Sequence, residues 1–519
     1  MRLPAWLRLS RAELAVLLGL AVLAGTPPLL LVTQARGRVF NGADGMYGSG
    51  DMLQYMAWVR DAATHWLASN LFQSEPDRHV FLHPMFVLSG ALVRMGLGIQ
   101  LAYMAWLPAG LVVLFAGTVA FCRRVALPSA GARVAAIVVA LFYFSPVAPL
   151  LAWAGLAGSA DRTSTTAIGA EGFSAGALWG YFPTAIALGL MPVTVLLVAA
   201  AIDRPTEAGA RGRAWLAAAA ALLVAWLHPW QGLVLLLMLL ALVAWARFDR
   251  RAWAALPAVA GCLAALGYYA VLGRVSSAWA MTAVPNHFPH AGFWLIALAP
   301  LALAALPGVR LRADSALERL LLLWVPAAAL AYVALNRSFF YHALEGLSLP
   351  LGIFAIRGVT RIFHGRQVGR VLVAGTLVLT VPGTLYALQV YLQTYEAGND
   401  YYLEGDDARA LDYLARQPAG AVLARLSLGQ YVPAFTGHAT WLGNYEWTPG
   451  FYPRRAQAED LFEGRLEPAA VSRLVVASGA RYVLSGCGDN PKATARLEAL
   501  ATATHRFGCA TVYDVAPAA

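Results

Sequence analysis

The sequence predicts an α-helical polytopic membrane protein of about 11 transmembrane helices with a small C-terminal extracytoplasmic α/β domain. Three observations predict it. Of 519 residues, 59% are hydrophobic and 13% are charged, against roughly 45–50% and 25% in soluble domains. The apolar residues are gathered into runs near the length of a bilayer span. Most of the basic residues outside the tail stand at or near the ends of those runs. Together these exclude a disordered chain and an ordinary soluble enzyme.

The candidate spans, in order, are 13–33, 98–121, 132–154, 182–202, 213–228, 230–246, 252–272, 291–307, 317–335, 346–362 and 371–391. The first has Arg2, Arg8 and Arg11 on its flank but no clear small-residue cleavage site, and more spans follow it. It reads as a retained helix and not a signal peptide. The net charge is +10, from 38 basic and 28 acidic residues, and Lys492 is the only lysine. One set of loops carries Arg123/Arg124, Arg204/Arg211/Arg213, Arg247/Arg250/Arg251, Arg310/Arg312 and Arg361/Arg366/Arg370. The alternate short loops carry Arg162, Arg274 and Arg337 singly. This is the positive-inside pattern. It predicts a multi-pass plasma-membrane protein with a cytoplasmic amino terminus and an extracytoplasmic C-terminal domain. Basic residues at helix ends also argue against a nucleic-acid partner, which would need them on one face.

Two segments lie outside the spans. The tail, 392–519, gains acidic residues, Gly and Pro. Its compact apolar runs Ala421-Val422-Leu423 and Tyr482-Val483-Leu484 predict strands, and 406–416 and 493–502 predict helices. Of the four cysteines, Cys122 and Cys262 lie at or in spans and read as small buried residues. Cys487 and Cys509 lie in the tail. An exported tail would let them pair in an oxidising compartment; the alternative is two free buried thiols.

The first outer loop, 34–97, is the longest between spans. From Asp51 its apolar residues recur at helical spacing (Met52, Tyr55/Met56, Val59, Ala63, Trp66/Leu67), which predicts an amphipathic helix lying along the membrane surface. A second apolar stretch, 80–96, holds Arg94. If it crossed, Arg123 and Arg124 would change sides, so it reads as re-entrant or interfacial. Asp51 follows Gly50 at a helix start, where an N-cap is the plain structural role. A cap does not account for so long and aromatic a first loop.

One apolar span, an outer loop with an Asp and a Tyr four residues on, then a membrane-parallel helix, resembles the GT-C superfamily of membrane glycosyltransferases. That group includes protein O-mannosyltransferases and the oligosaccharyltransferase catalytic subunit. Leu227-His228-Pro229-Trp230-Gln231-Gly232 at a hairpin tip extends the resemblance, as does Tyr341-His342-Ala343-Leu344-Glu345-Gly346 after Arg337. In the tail, Tyr431 to His438 and Arg481-Tyr482-Val483 are similar to the C-terminal domain of bacterial members. The organisation expected is then a GT-C-like transmembrane domain over 1–391, with interfacial helices in loop 34–97, and the tail domain over 392–519.

The resemblance implies transfer of a hexose or pentose from a polyprenyl-phosphate-linked donor to a lipid, glycan or protein acceptor of the cell envelope at the outer face, with inversion. Asp51 is the candidate general base, since a carboxylate within hydrogen-bond reach can take the acceptor proton. Arg337 is the candidate for the leaving phosphate, because its planar fork suits phosphate oxygens; its plain alternative is snorkelling at a helix end. His342 and Glu345, three residues apart, would bind phosphate and sugar hydroxyls or bond each other. His228 would face the same cavity or merely cap its turn. Tyr55 follows Asp51 by one helical turn. Glu171, in the polar loop 155–181, would be a second acidic residue or metal ligand, or else a solvated loop charge. The familiar adjacent acidic pair is missing beside Asp51, so the sequence fixes no cofactor and leaves a divalent metal open. No zinc-protease spacing, Walker loop or dinucleotide fingerprint is present. The alternative function is a transporter or lipid flippase; the absence of a detectable repeat ranks it second.

Overall fold

The computed structural model describes residues 8–42, 50–155, 169, 172–207, 209–247, 249–281, 291–335, 339–397 and 401–516. The chain divides into two compact units. One comprises Met1–Thr26, Leu107–Ala270 and Val284–Leu392; the other comprises Pro27–Trp106, Val271–Ala283 and Gln393–Ala519. The first outer loop and the tail therefore belong to the same unit.

The first unit is helical. Among the described residues of the whole chain, 8 helices are long and apolar enough to cross a membrane, and the bent pair Ala130–Phe142 and Val147–Trp153 makes up to 9. Two further predicted spans are shorter: Pro229–Trp245 has 17 residues, and Ile296–Gly308 also falls in the shorter class. At a rise of about 1.5 Å per residue the former reaches roughly 25 Å, short of a ~30 Å core. Helices in lipid associate through close backbone packing at small residues. Helices Trp106–Arg124 and Phe182–Asp203 do so at Gly117 and Gly189, where a Cβ on Gly117 would fall 1.9 Å from the Gly189 carbonyl oxygen. Charges are paired near helix ends. Arg123 lies 2.6 Å from Glu13, and Arg357 holds both carboxylate oxygens of Glu318 at 2.6 and 2.8 Å.

Among the described residues the second unit carries six strands: β1 (Val39–Phe40), β2 (Tyr402–Leu403), β3 (Val422–Ala424), β4 (Tyr482–Ser485), β5 (Ala501–Phe507) and β6 (Ala510–Val515). β1 pairs antiparallel with β2, and the others form a sheet in the order β3-β4-β6-β5, with β3 parallel to β4 and the rest antiparallel. Leu423, Leu442, Phe462, Val483, Leu497 and Tyr513 form its buried core. Cys487, just beyond β4, is joined by a disulfide to Cys509 in the β5–β6 turn. Helix Gly405–Leu414 matches the expected 406–416. The expected 493–502 helix ends at Glu498, and Ala501 already begins β5. Trp441 and Trp447 are buried in this unit, whereas Tyr445 is exposed.

The described residues of loop 34–97 include β1, helix Gly50–His65, the connection that follows it and helix Pro84–Arg94. The 11 residues of the latter are too few to span. Helix Gly50–His65 is covered by protein: Met52, Leu53, Gln54, Met56, Ala57, Trp58, Val59, Asp61, Ala62 and Ala63 are all buried. Trp58 packs against Phe81, Phe86, Trp279 and Trp447. The aromatic left at the surface is Trp66, over which the Arg94 guanidinium stacks at 4.1 Å.

Candidate functional site

In the first unit, three of the predicted site residues converge. Helix Ala210–Leu227 ends at His228, whose extended backbone reverses the chain, and Pro229 opens the next helix at a position where its missing N–H costs nothing. His228 Nδ1 accepts from the Gln231 backbone N–H at 3.4 Å. This leaves the ring proton on Nε2, which lies 2.8 Å from Glu345 Oε2. The other oxygen, Oε1, lies 2.8 Å from His342 Nδ1. One carboxylate thus bridges two imidazoles, one on each oxygen. His228 and Glu345 are almost fully buried and His342 is about one-quarter exposed.

Local structure explains the His342–Glu345 contact. The sequence places the pair at the start of a span, and the candidate span Phe340–Ile362 opens there with a 3-10 turn, Phe340–Leu344, that has Glu345 at its end. With 3.0 residues per turn, positions three apart eclipse. Gly346 follows at φ +75, a conformation that favours glycine. Gln231 ties the two segments together by donating its side-chain amide to the carbonyls of both His342 and Glu345 at 2.9 Å. Sequence reading missed Gln231, although it lies on the hairpin-tip motif three residues after His228. His228, in turn, both caps its helix and contacts Glu345.

In the second unit, Asp51 lies inside the first turn of helix Gly50–His65, half-buried. The residue before Gly50 lies outside the described residues, and with it the test of the expected N-cap. Asp51 is well placed for a negative charge, since the first-turn N–H groups of a helix lack intrahelical acceptors. Tyr55 follows on the same face and packs its ring near Phe86, Trp58 and Tyr103, with centroids 5.7, 6.0 and 6.3 Å away. Gln54, buried beside it in sequence, accepts from the Asn444 amide at 3.3 Å. Arg337 and Glu171 lie outside the described residues.

Among the described residues, two groups of side chains outside the disulfide have metal-ligand chemistry and ligand atoms within 4.8 Å of one another: His228, His342 and Glu345 in the first unit, and Asp61, His65 and His79 in the second. The second was not among the predicted residues. Its one sequence signal was an Asp and a His four apart on a helix.

No family model matches the chain, and no curated protein matches it. Solved structures do. The oligosaccharyltransferase AglB of Archaeoglobus fulgidus, in complex with an inhibitory peptide and a dolichol-phosphate, aligns with a TM-score of 0.54 at 11% identity over 92% of this chain and 69% of that one. The same enzyme tethered to an acceptor peptide containing the NVT sequon aligns with a TM-score of 0.55 at 12% identity, over 93% and 70%. The chain has the GT-C fold. At this identity the likeness is one of fold. It extends over the helical region and the strand-containing tail alike, as the sequence resemblance implied, and accords with a multi-pass membrane protein.

Proposed function

We propose that this chain is a membrane glycosyltransferase that moves a sugar from a polyprenyl-phosphate-linked donor to an acceptor at the outer face of the membrane, with inversion at the anomeric carbon. The observation that carries the reading is the match in fold to AglB over 92% of the chain, because one of the matched structures holds a dolichol-phosphate. A lipid-phosphate donor and an envelope acceptor follow by analogy.

Asp51 is the general base. It takes the proton of the acceptor hydroxyl as that oxygen attacks the anomeric carbon, and the bond to the lipid phosphate breaks on the opposite side. Donors toward the departing phosphate lower the barrier by meeting charge where it develops. Arg337 supplies a guanidinium for this in the sequence reading. The sequence reading gives His228, His342 and Glu345 to phosphate and sugar as well; His228 directs its Nε2–H to Glu345, so His342, oriented through Nδ1 by the same carboxylate, is the imidazole this reading turns to the substrate. Tyr55 binds the acceptor side, one turn from the base. The positive-inside pattern places the amino terminus in the cytoplasm and the tail, with its disulfide, outside.

Asp51→Asn tests the mechanism. Membrane vesicles holding the full chain and a labelled polyprenyl-phosphate sugar are followed for transfer to endogenous acceptor. The variant is expected to lose about a hundredfold or more of the rate, with unchanged expression and unchanged donor binding. Transfer at the parent rate would remove Asp51 from the role. Movement of intact donor across the bilayer without sugar transfer would instead favour the flippase reading.

A further inference from the structure

We infer that Asp61, His65 and His79 form a zinc-binding site at the end of helix Gly50–His65, separate from the residues given roles above. Asp61 and His65 stand four apart on the helix, so they share a face. The chain then leaves the helix at Trp66 in a left-handed conformation (φ +67). It returns through a closed loop whose ends are pinned by Ala68 and Phe81, where Ala68 N–H donates to the Phe81 carbonyl and Phe81 N–H donates back, both at 2.9 Å. Further anchors hold the loop: Asn70 N–H to Asp77 at 3.0 Å, and Ser74 Oγ to the Ser478 carbonyl at 2.6 Å. His79, two residues from the pinned end, is delivered over the helix terminus by backbone pairing that does not depend on the histidine itself.

The ligand geometry fits zinc. His65 Nδ1 lies 2.8 Å and His79 Nε2 lies 3.2 Å from the same oxygen, Asp61 Oδ1. The ligand-to-ligand edge of a tetrahedral zinc site with bonds near 2.0–2.1 Å is about 3.3 Å. The second oxygen, Oδ2, is not available to an ion. It accepts from Ser69 N–H at 2.6 Å and Ser69 Oγ at 2.9 Å, which is the outer support that orients a ligating carboxylate. Asp61 is buried, but the two rings are 47% and 35% exposed. An ion can therefore enter from solvent, and a fourth position stays open to water. Two imidazoles and one carboxylate favour zinc over the oxygen-seeking calcium and magnesium. The negative end of the helix lies on the cation's side, although Arg94 already donates to the carbonyls of Ala63 and Thr64 there. Zinc would clamp the 66–81 loop to the helix that carries Asp51 at its other end.

The test uses the full chain purified in detergent, stripped with a chelator and dialysed against buffered Zn2+. Bound metal is counted by mass spectrometry. His65→Gln/His79→Gln keeps amide donors toward Asp61 but lacks the imidazole ligands, and is expected to bind one zinc fewer than the parent. His228→Gln/His342→Gln is expected to keep that zinc, which separates this site from the other imidazole cluster. Ser69→Ala is expected to weaken binding about tenfold. Cobalt-loaded parent protein, which needs no variant, is expected to show the visible absorption of a four-coordinate N/O site. Parent protein that takes up no zinc, or a His65→Gln/His79→Gln variant that binds as the parent does, would overturn the inference.

Discussion

Glu345 and Asp61 each meet two imidazoles, in opposite surroundings. Glu345 gives one oxygen to His228 and the other to His342, and its partners are buried or largely so. Asp61 gives a single oxygen to both His65 and His79, and its partners are open to solvent. The first arrangement is a closed cross-link between a hairpin tip and a 3-10 turn. The second is a half-open cup whose base is fixed by Ser69. The same residue types are therefore used in one case to hold two segments in register and in the other to leave a vertex that solvent can reach. What differs is whether the chain around the histidines is packed, not which residues are present.

The sharpest way to break that contrast is to remove each carboxylate. Glu345→Ala leaves two imidazoles without their acceptor in a packed site, and a buried group left unsatisfied costs roughly 1–3 kcal/mol. The expected loss is about 3 kcal/mol, read as a large fall in melting temperature of the full chain in detergent. Sugar transfer is expected to fall with it even at temperatures where the variant stays folded. A melting temperature unchanged from the parent would mean that the cross-link contributes nothing to the fold.

Asp61→Ala is expected to cost less, about 2 kcal/mol, and chiefly through Ser69, whose N–H and hydroxyl lose their acceptor. His65→Ala and His79→Ala are expected to cost under about 1 kcal/mol each in the absence of metal, as exposed pairs do. The same melting experiment reads all three. If the single histidine variants fell as far as Glu345→Ala, exposure would not be what separates the two clusters.

How much of this was legible beforehand follows the same division. Hydropathy and arginine placement show the helical membrane region, because both depend on composition along the chain. The β3 and β4 runs were legible since all their residues face a core. β5 was not: His505 and Arg506 sit on a partly exposed edge strand with no clear alternation of buried and open residues. His228, His342 and Glu345 stood out by their place at predicted outer tips, yet the bridge between them spans more than a hundred residues and needs the fold to close it. The burial of Trp58 was hidden for a similar reason. Its neighbours Trp279 and Trp447 come from far along the chain, so an aromatic helix that reads as a membrane-surface element alone is packed within protein.

Asp407 supplies the remaining comparison, a buried carboxylate with carboxylates and not imidazoles for neighbours. It lies in helix Gly405–Leu414 beneath the disulfide, accepting from Cys487 N–H at 3.1 Å. Burial pushes its pKa up from 3.8 to about 6; the Cys487 bond opposes the rise, and Asp489, Glu404 and Asp406 add to it. The folded state thus holds a proton that the unfolded chain has already released. The contribution to stability is complete below about pH 4 and is lost as pH rises through about 6. Solvent screening keeps this near 1 kcal/mol in order of magnitude. Asp489 also lies above its ordinary value through burial and slopes the same way, so Asp407→Asn is expected to reduce the pH dependence and not abolish it. Hydrogen exchange in the β3–β6 sheet, taken as the ratio of parent to variant protection at each pH, reads the effect. The ratio is expected to fall between pH 4 and 6 and to level off above. A ratio independent of pH would show that Asp407 is already ionised in the fold, and that neighbouring carboxylates alone do not make a buried acid hold its proton here.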